Sequence, residues 1–274
     1  MLGLLLLQGL ASCLWLGHGE VVNSFASCPQ FFYSRLPPND ALNPKNPAWI
    51  CQRYNGSYHY ATLYNRDERI PVYSAYKYHP VEGNNPRRLW MVEPQLIGKN
   101  NFEAMEMESV LIRNNFTVEE IQKSQAVNAD YNMTVWDRGH LCPCGHMDNK
   151  ESKKATYTLT NAVPQNKSLN DGQWKVYERR TMIEMTKGCT TTYVITGAVP
   201  GKNYMSNKRV NVPSHIWSAA CCLVDEEPKD AWGAIAENDK NEVENITLGE
   251  LEERLTELYK VKNITLFNNS CSQK

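Results

Sequence analysis

The sequence predicts an α+β fold, and three observations support this class. Four runs have the alternating or continuous apolar character of strands: residues 58–64, 70–76, 193–196 and 215–223. Apolar residues recur at helical spacing in two segments, 169–185 and 248–258. These strands and helices are interspersed without regular β-α-β alternation, which favours α+β over a doubly wound parallel sheet.

The second helical segment has the clearest pattern. Its apolar stripe has the spacing i, i+3, i+7 and i+10 with charged residues between: Leu248, Leu251, Leu255 and Leu258. Such a stripe lies on one face of a helix. We expect this helix to pack against a sheet rather than to bind a partner.

Composition excludes several classes of protein. Of 274 residues, 42% are hydrophobic and 22% are charged, which excludes a chain that is disordered, collagenous or coiled-coil as a whole. Lys and Arg number 29 and Asp and Glu 30, for a net charge of −1. This balance argues against nucleic-acid binding over the whole surface but is compatible with a local basic groove.

The N-terminus predicts secretion. Residues 2–16 are almost entirely apolar, and residues 1–19 contain no Asp, Glu, Lys or Arg. This run is shorter than a membrane span and is typical of a secretory signal that is cleaved near Gly19. The expected organisation is a signal peptide at 1–19, a Cys-containing extension at 20–57 packed on the domain, and a catalytic domain at 58–274. After cleavage we expect an extracellular protein without membrane attachment.

Cysteines and sequons agree with an extracellular location. Loss of Cys13 with the signal leaves eight cysteines, an even number that predicts a disulfide framework of unassigned connectivity. The members of two close couples are each expected to pair elsewhere: Cys142 with Cys144, and Cys221 with Cys222. Seven asparagines begin N-x-S/T sequons: Asn55, Asn115, Asn132, Asn166, Asn245, Asn263 and Asn268. We expect some to carry sugar, with Asn166 excepted.

The residues that carry chemistry lie in three short segments: Trp136-Asp-Arg-Gly-His140, Thr160-Asn-Ala-Val-Pro-Gln165 and Leu169-Asn-Asp-Gly-Gln-Trp-Lys-Val-Tyr-Glu178. An imidazole can take a proton from water near neutral pH. An asparagine oxygen suits a Mg²⁺ ion that keeps several waters, and arginine suits phosphate oxygens. These residue types together indicate metal-assisted hydrolysis of a phosphodiester.

In these motifs the sequence resembles the DNA/RNA non-specific endonuclease family, whose catalytic motif is the ββα-metal (His-Me) finger. The upstream stretch Arg88-Leu-Trp-Met-Val-Glu-Pro-Gln-Leu96 resembles the family's R-x-W-x-x-x-P-x-L, and residues 196–197 and 212–217 resemble two of its strands. Similarity covers roughly residues 58–258. The segment Pro47-Ala-Trp-Ile-Cys-Gln-Arg-Tyr54 resembles the secreted endonuclease domain-containing 1 subgroup.

The resemblance implies a central antiparallel sheet flanked by helices and a role for each motif residue. His140 is the expected general base, and Asn170 the expected single protein ligand of Mg²⁺, for which Mn²⁺ or Ca²⁺ are alternatives. Glu178 lies about 12 Å along a helix from Asn170 and is assigned to the metal's water shell. The remaining roles are a phosphate contact for Arg88, bracing of the loop for Asp137 and Arg138, and positioning of His140 or substrate for Asn161.

Other interpretations of these residues remain open. Asn170 has the alternative role of a helix N-cap, since asparagine favours that position. His140, Cys142, Cys144 and His146 form an alternating His/Cys pattern that superficially resembles a zinc site, although its C-x-C spacing strains a tetrahedron. Organic cofactors are not expected, and the oligomeric state is open.

Basic residues cluster around the catalytic segments: Lys150, Lys153, Lys154, Lys167, Lys175, Arg179, Arg180 and Lys187. If they line one groove, they supply the sequence-independent attraction to phosphates of a non-specific nuclease. Acidic residues concentrate at 225–230 and 237–253 and balance the charge elsewhere. The predicted partner is therefore DNA or RNA. Two alternatives remain, namely a catalytically weak or inactive binding module with the nuclease fold, and an enzyme for small phosphodiesters.

Overall fold

The fold is described from a computed structural model, which places residues 20–81, 83, 85–98, 100–132 and 134–271. The predicted signal at 1–19 lies outside the described residues. The strands are β1 Val21–Val22, β2 Pro47–Tyr54, β3 Ser57–Asn65, β4 Ile70–Lys77, β5 Trp136–His140, β6 Ala162–Asn166, β7 Thr191–Val199, β8 Asn203–Met205, β9 Val210–Val212, β10 His215–Val224, β11 Glu227–Glu237 and β12 Glu244–Thr247. The α-helices are α1 Glu108–Arg113, α2 Val118–Gln122, α3 Lys150–Ala155, α4 Lys167–Asn170, α5 Gln173–Val176, α6 Met182–Met185 and α7 Leu248–Tyr259.

Eight strands form one sheet in the order β1-β2-β3-β4-β7-β10-β11-β12, and every neighbouring pair in it is antiparallel. Two small antiparallel ribbons, β5-β6 and β8-β9, lie outside it. This architecture confirms the predicted α+β class with a central antiparallel sheet flanked by helices. All four predicted strand segments are strands of the main sheet.

Each face of the sheet has its own hydrophobic core, because successive side chains of a strand point to opposite faces. In β10, Ile216 and Ala220 belong to the core that also contains Leu169 and Trp174, on the side of the catalytic segments. Trp217 of the same strand belongs to the other core, together with the buried leucines of α7. The predicted helix at 248–258 is thus confirmed, and it packs on the face opposite the catalytic segments.

The extension at residues 20–57 contributes strands to the main sheet. Strand β2 pairs with β3 from Pro47↔Asn65 to Tyr54↔Ser57, and β1 pairs with β2 at the sheet edge. Cys28, in the turn-rich segment before β2, is bonded to Cys51. Within the described residues, no helix has the length and apolar character needed to cross a bilayer.

The close couple Cys221 and Cys222 behaves as predicted. The two side chains point to opposite faces of β10, so Cys221 pairs with Cys271 near the C-terminus and Cys222 pairs with Cys189 after α6. The expectation for the other couple was wrong, because Cys142 and Cys144 are both unpaired. Cys142 is buried beside Met147, with 3.5 Å between the two sulfur atoms. The other six described cysteines are used in the three disulfides.

The predicted helix at 169–185 is interrupted. A short helix, α4, ends at Asn170, and the chain restarts at Gln173 as α5, a π-helical turn at Tyr177–Thr181 and α6. The break falls at Gly172, where a Cβ atom would lie 2.2 Å from both the Asn241 Oδ1 and the Ser168 carbonyl oxygen. Asn241 Oδ1 instead accepts the Gln173 N–H at 2.7 Å. Glycine is therefore required for this close approach, which apolar periodicity does not reveal.

Candidate nuclease active site

Residues of the segments at 136–140 and 169–178, two of the three predicted to carry chemistry, line one cleft of about 1030 Å³. His140 lies at the end of β5, Asn170 at the end of α4, and Glu178 on the π-helical turn. All three line the cleft, as do Asp137 and Arg138. Residues separated by up to 41 positions in the chain thus share one site, because β5 pairs with β6 and α4 follows β6 directly.

Gly139 allows the β5-β6 ribbon to form as it does. A Cβ atom at this position would lie 2.1 Å from the Oε1 and 2.6 Å from the Cβ of Gln165. Gln165 is completely buried on the neighbouring strand. Any larger residue at 139 would push β5 away from β6 and displace His140, the next residue.

His140 is held by aromatic contacts rather than by hydrogen bonds to its Nε2 atom. Its ring centroid lies 4.9 Å from Trp90 and 5.0 Å from Tyr157, and the Tyr157 ring is nearly perpendicular to the imidazole. Among the residues that the structure describes, the Nε2 atom has no hydrogen-bond partner. Burial, together with the positive charge of Arg88, lowers the pKa of His140 to about 3. At neutral pH the imidazole is therefore uncharged, and a neutral ring has one nitrogen that can accept a proton.

Asn170 is oriented by Asp137. The amide Nδ2 of Asn170 donates to Asp137 Oδ2 at 3.0 Å, across the junction between α4 and β5. Asn170 is the last residue of α4, whose N-cap is Asn166, so it is not a helix N-cap. With Nδ2 in use, the Oδ1 atom remains as a neutral oxygen at the cleft. One such ligand fits a Mg²⁺ ion that keeps most of its waters.

Glu178 lies across the cleft on the π-helical turn, a feature that is frequent at functional sites. Burial raises the pKa of its carboxyl to about 8. Its backbone carbonyl accepts a hydrogen bond of 2.9 Å from Nε2 of buried His146, and Tyr76 donates to the other ring nitrogen at 3.0 Å. His146 thus braces the turn that carries Glu178, a role that the sequence did not indicate.

Arg88 and Arg138 occupy different environments. Of the two adjacent arginines at 87 and 88, Arg88 is the one that lines the cleft, and it is exposed. The Arg138 guanidinium lies 5.4 Å from the ring centroid of Trp90 and 5.3 Å from that of Tyr131, and donates to the Asn128 carbonyl at 3.2 Å. This packing fits the bracing predicted for Arg138. Arg88 is the more accessible of the two to a phosphate.

Asn161 does not reach the cleft. It is completely buried, and its Nδ2 donates to the carbonyls of Cys142 and Thr156, both at 3.0 Å. Its Oδ1 accepts from Ser74 Oγ and from the Cys142 N–H, both at 2.9 Å. Contact with substrate, one of its two predicted roles, is therefore wrong. Its amide instead fixes the chain just after His140, which is compatible only with the positioning role.

A buried hydrogen-bond network connects the segment that contains Asn161 to the N-terminal extension. Glu93 Oε1 accepts from the hydroxyls of Thr158 and Thr160, each at 2.8 Å, and Thr160 directly precedes Asn161. Glu20 lies beside Glu93, and both side chains are completely buried. Burial raises the pKa of Glu20 well above its ordinary value, so this pair is not doubly charged at neutral pH. The extension therefore packs, through Glu20, against the buried residues that support the chain around His140.

Sequence reasoning missed three contributors to the site. Trp90, from the R-x-W stretch, and Tyr157 enclose His140, while His146 braces Glu178. The R-x-W motif offered a signal for Trp90. The interspersed His/Cys pattern marked His146 only as an alternative metal ligand. Among the described residues, no group of three or more His, Cys, Asp or Glu is arranged to hold a metal, so the zinc alternative has no support.

Half of the eight basic residues in the predicted cluster lie outside the described lining of the cleft, namely Lys150, Lys154, Arg180 and Lys187. The other four line the cleft: Lys153, Lys167, Lys175 and Arg179. Lys154 instead pairs with Glu151 at 3.0 Å, and Lys187 pairs with Glu184. The acidic residues at 225–230 and 237–253 do not contribute to the described lining of the cleft. The basic groove predicted at this site is therefore present, with fewer residues than the cluster contains.

Buried His146 leads to a prediction about acid stability. Its burial lowers its pKa from 6.5 to about 4, so between these values the unfolded chain binds a proton that the folded protein excludes. Unfolding free energy should fall as pH drops from 6.5 towards 4, by about 2–3 kcal/mol from this group. Urea unfolding at pH 7 and pH 4.5 measures the loss. His146→Gln, which keeps a donor and an acceptor without titrating, should show a smaller loss; an identical loss in both proteins contradicts the assignment.

Comparisons with known proteins agree with this geometry. The family model for DNA/RNA non-specific endonuclease matches residues 37–273. The Homo sapiens endonuclease domain-containing 1 protein is 34% identical over 264 residues, which are 93% of this chain and 49% of that protein. The chain thus spans about half the length of this relative. The mitochondrial nuclease EXOG of Homo sapiens is 35% identical over 107 residues, which are 34% of this chain and 28% of that protein.

A solved structure shows the same fold. The crystal structure of an EndoG/EndoGI complex matches with a TM-score of 0.52 and 16% identity, over 77% of this chain and 85% of that chain. The family match begins at residue 37, within the extension that supplies β2. The catalytic motifs, the fold and the family match over most of the chain lead to one assignment: this chain belongs to the DNA/RNA non-specific endonuclease family.

Proposed function

We propose that the protein is a secreted, Mg²⁺-dependent endonuclease that hydrolyses phosphodiester bonds of DNA and RNA with little sequence specificity. The observation that carries this proposal is the cleft shared by His140 and Asn170. The Nε2 atom of His140 has no partner among the described residues, and the amide of Asn170 is oriented by Asp137. Family membership supports the reaction class. The three disulfides among the described residues support an oxidising, extracellular location.

His140 acts as the general base that takes a proton from the attacking water. Its low pKa keeps the ring neutral before substrate binds. Burial is the main cause of this low pKa and the charge of Arg88 the lesser one. A phosphate anion that binds beside Arg88 offsets only that lesser part, which makes the imidazole a stronger base when substrate is present. Trp90 and Tyr157 keep the ring in place during the transfer.

Asn170 would hold Mg²⁺ through Oδ1, and Glu178 would accept hydrogen bonds from the ion's waters. When bound, the ion stabilises negative charge on the phosphate and on the leaving oxygen. Asp137 acts on this site only through Asn170, by fixing which amide atom faces the cleft. Arg88 holds a phosphate oxygen.

The direct test is digestion of plasmid DNA and RNA with and without EDTA, followed by a series of divalent metals. We expect cutting of both polymers with Mg²⁺ and none in EDTA. Metal analysis of the purified protein is the accompanying measurement, since stoichiometric, tightly held zinc would overturn the Mg²⁺ assignment. Polymer binding without cutting under every metal would instead identify a binding module with this fold. Hydrolysis of dinucleotides without polymer cutting would identify an enzyme for small phosphodiesters.

The basic groove predicts strong dependence of activity on salt. Each Lys or Arg that neutralises a phosphate releases counterions, so affinity for polymer falls steeply as salt rises. Lys175 and Arg179 lie one helical turn apart and both line the cleft. The double variant Lys175→Ala/Arg179→Ala should bind and cut more weakly, with a salt slope reduced by about two. Lys187→Ala, outside the cleft, is the control; a flat salt profile for the wild type counts against an extended groove.

A further inference from the structure

The structure separates the seven sequons by what their side chains do. Asn166 Oδ1 accepts from the Ser168 N–H at 2.9 Å as the cap of α4, and Asn268 Nδ2 donates to the Pro37 carbonyl at 3.0 Å. A glycan attaches to this same amide nitrogen, so sugar on Asn268 would crowd the contact with Pro37. The other five asparagines are exposed: Asn55, Asn115, Asn132, Asn245 and Asn263.

One exposed sequon, Asn132, is set into the edge of the cleft. It follows the 3₁₀ turn Asn128–Tyr131, and both Tyr131 and Thr134 line the cleft. The Tyr131 ring contacts Arg138, two residues before His140. Asn132 lies between the two lining residues Tyr131 and Thr134 in the chain, and its side chain is exposed. A group attached to it therefore projects from the rim of the cleft and not from a distant surface.

We propose that Asn132 is an N-glycosylation site whose glycan restricts the polymers that enter the cleft. A glycan is bulky and hydrated and occupies the solvent above its attachment point. Duplex DNA is stiff over about 150 base pairs and cannot curve around such an obstacle. A single strand is flexible enough to bend around it, and a short diester is small enough to pass beside it. The glycan thus selects against duplexes and leaves the chemistry at His140 unchanged. This inference rests on the proposed nuclease function.

Asn263 offers a matched control. It is also an exposed sequon, but it follows α7, whose buried leucines pack on the opposite face of the main sheet. A glycan at Asn263 adds the same mass and hydration without reaching the cleft. Any effect of glycosylation on solubility or folding should appear in both variants, and an effect on substrate choice should appear only at Asn132.

The test uses full-length protein secreted from a eukaryotic host, with Asn132→Gln and Asn263→Gln variants. Peptide mass spectrometry measures occupancy at Asn132. Rates are then compared on plasmid duplex, a single-stranded oligonucleotide and a p-nitrophenyl nucleotide diester. We expect Asn132→Gln to raise the ratio of duplex to single-strand cleavage several-fold, with diester hydrolysis unchanged and Asn263→Gln like the wild type. An unoccupied Asn132, or an unchanged ratio, overturns the proposal.

Failure of the glycan proposal can be distinguished from failure of the proposed nuclease function. If no variant hydrolyses even the diester, the nuclease proposal fails, and binding of fluorescent duplex and single strands replaces the rate comparison. A several-fold gain in duplex binding by Asn132→Gln, absent in Asn263→Gln, then supports the glycan as a steric barrier. Equal duplex binding by all three proteins overturns it.

Discussion

The variant His140→Ala should cut plasmid DNA and RNA about 10²–10⁴ times more slowly than the wild type, because it lacks the base that activates water. The substitution removes no hydrogen bond at Nε2 to any residue in the described part of the chain. Folding should therefore be largely retained. Initial rates with saturating Mg²⁺ measure the loss, and polymer binding should stay close to that of the wild type.

His215→Ala is the matched control for this prediction. His215 begins β10, is partly exposed and does not line the cleft, so its loss should leave the rate unchanged. Added imidazole should restore part of the activity of His140→Ala, because the space between Trp90 and Tyr157 is left open. Cutting by His140→Ala at the wild-type rate would remove His140 from the mechanism.

The variant Asn170→Ala should lower the rate by about 100-fold or more at a fixed Mg²⁺ concentration. A metal ligand contributes several kcal/mol of transition-state stabilisation, and each 1.4 kcal/mol is about a factor of ten. Higher Mg²⁺ should recover part of the activity, since the remaining sphere consists of water and substrate. Rate as a function of Mg²⁺ concentration separates weaker metal binding from slower chemistry.

Two companion variants define the role of Asn170. Asp137→Ala removes the acceptor that orients the amide and should lose about 10–100-fold, less than Asn170→Ala, as is usual for residues that orient a ligand. Gln173→Ala, three residues further along and exposed, should have the wild-type dependence on Mg²⁺. If Asn170→Ala keeps the wild-type Mg²⁺ dependence, Asn170 is not the ligand.

Many residues of the candidate site could be predicted from the sequence, because the motifs that contain them are short and continuous in the chain. The segments at 136–140 and 169–178 each place their functional residues on short strands or helices, although apolar periodicity predicted only the helical character of the second segment and not strand β5. Bracing by Asp137 and Arg138 was also predicted, since both lie within three residues of His140 in the chain. The contacts of Asp137 with Asn170 and of Arg138 with Trp90 and Tyr131 are compatible with that role. The role of Asn161 was harder to predict, because its motif does not reveal whether the amide faces the cleft or a buried loop next to the cleft.

Periodicity did not anticipate the break at Gly172 or the π-helical turn that carries Glu178. Both arise from contacts with distant segments: Asn241 occupies the space beside Gly172, and His146 binds the Glu178 carbonyl. The free thiols of Cys142 and Cys144 have a similar origin. Pairing depends on which cysteines the sheet brings together, and β10 brings Cys189 and Cys271 to the two faces of one couple.

By itself the sequence determined the α+β class, four of the eight strands of the main sheet, the helix at 248–258, and the residue types expected for phosphodiester chemistry. Apolar spacing and motif order are local properties, so they can be recognised in the sequence without knowledge of the fold. The tertiary structure alone decided which basic residues line the cleft, which sequon stands at its rim, and that Asn161 supports a loop. These features depend on the packing of segments far apart in the chain, which sequence spacing does not encode.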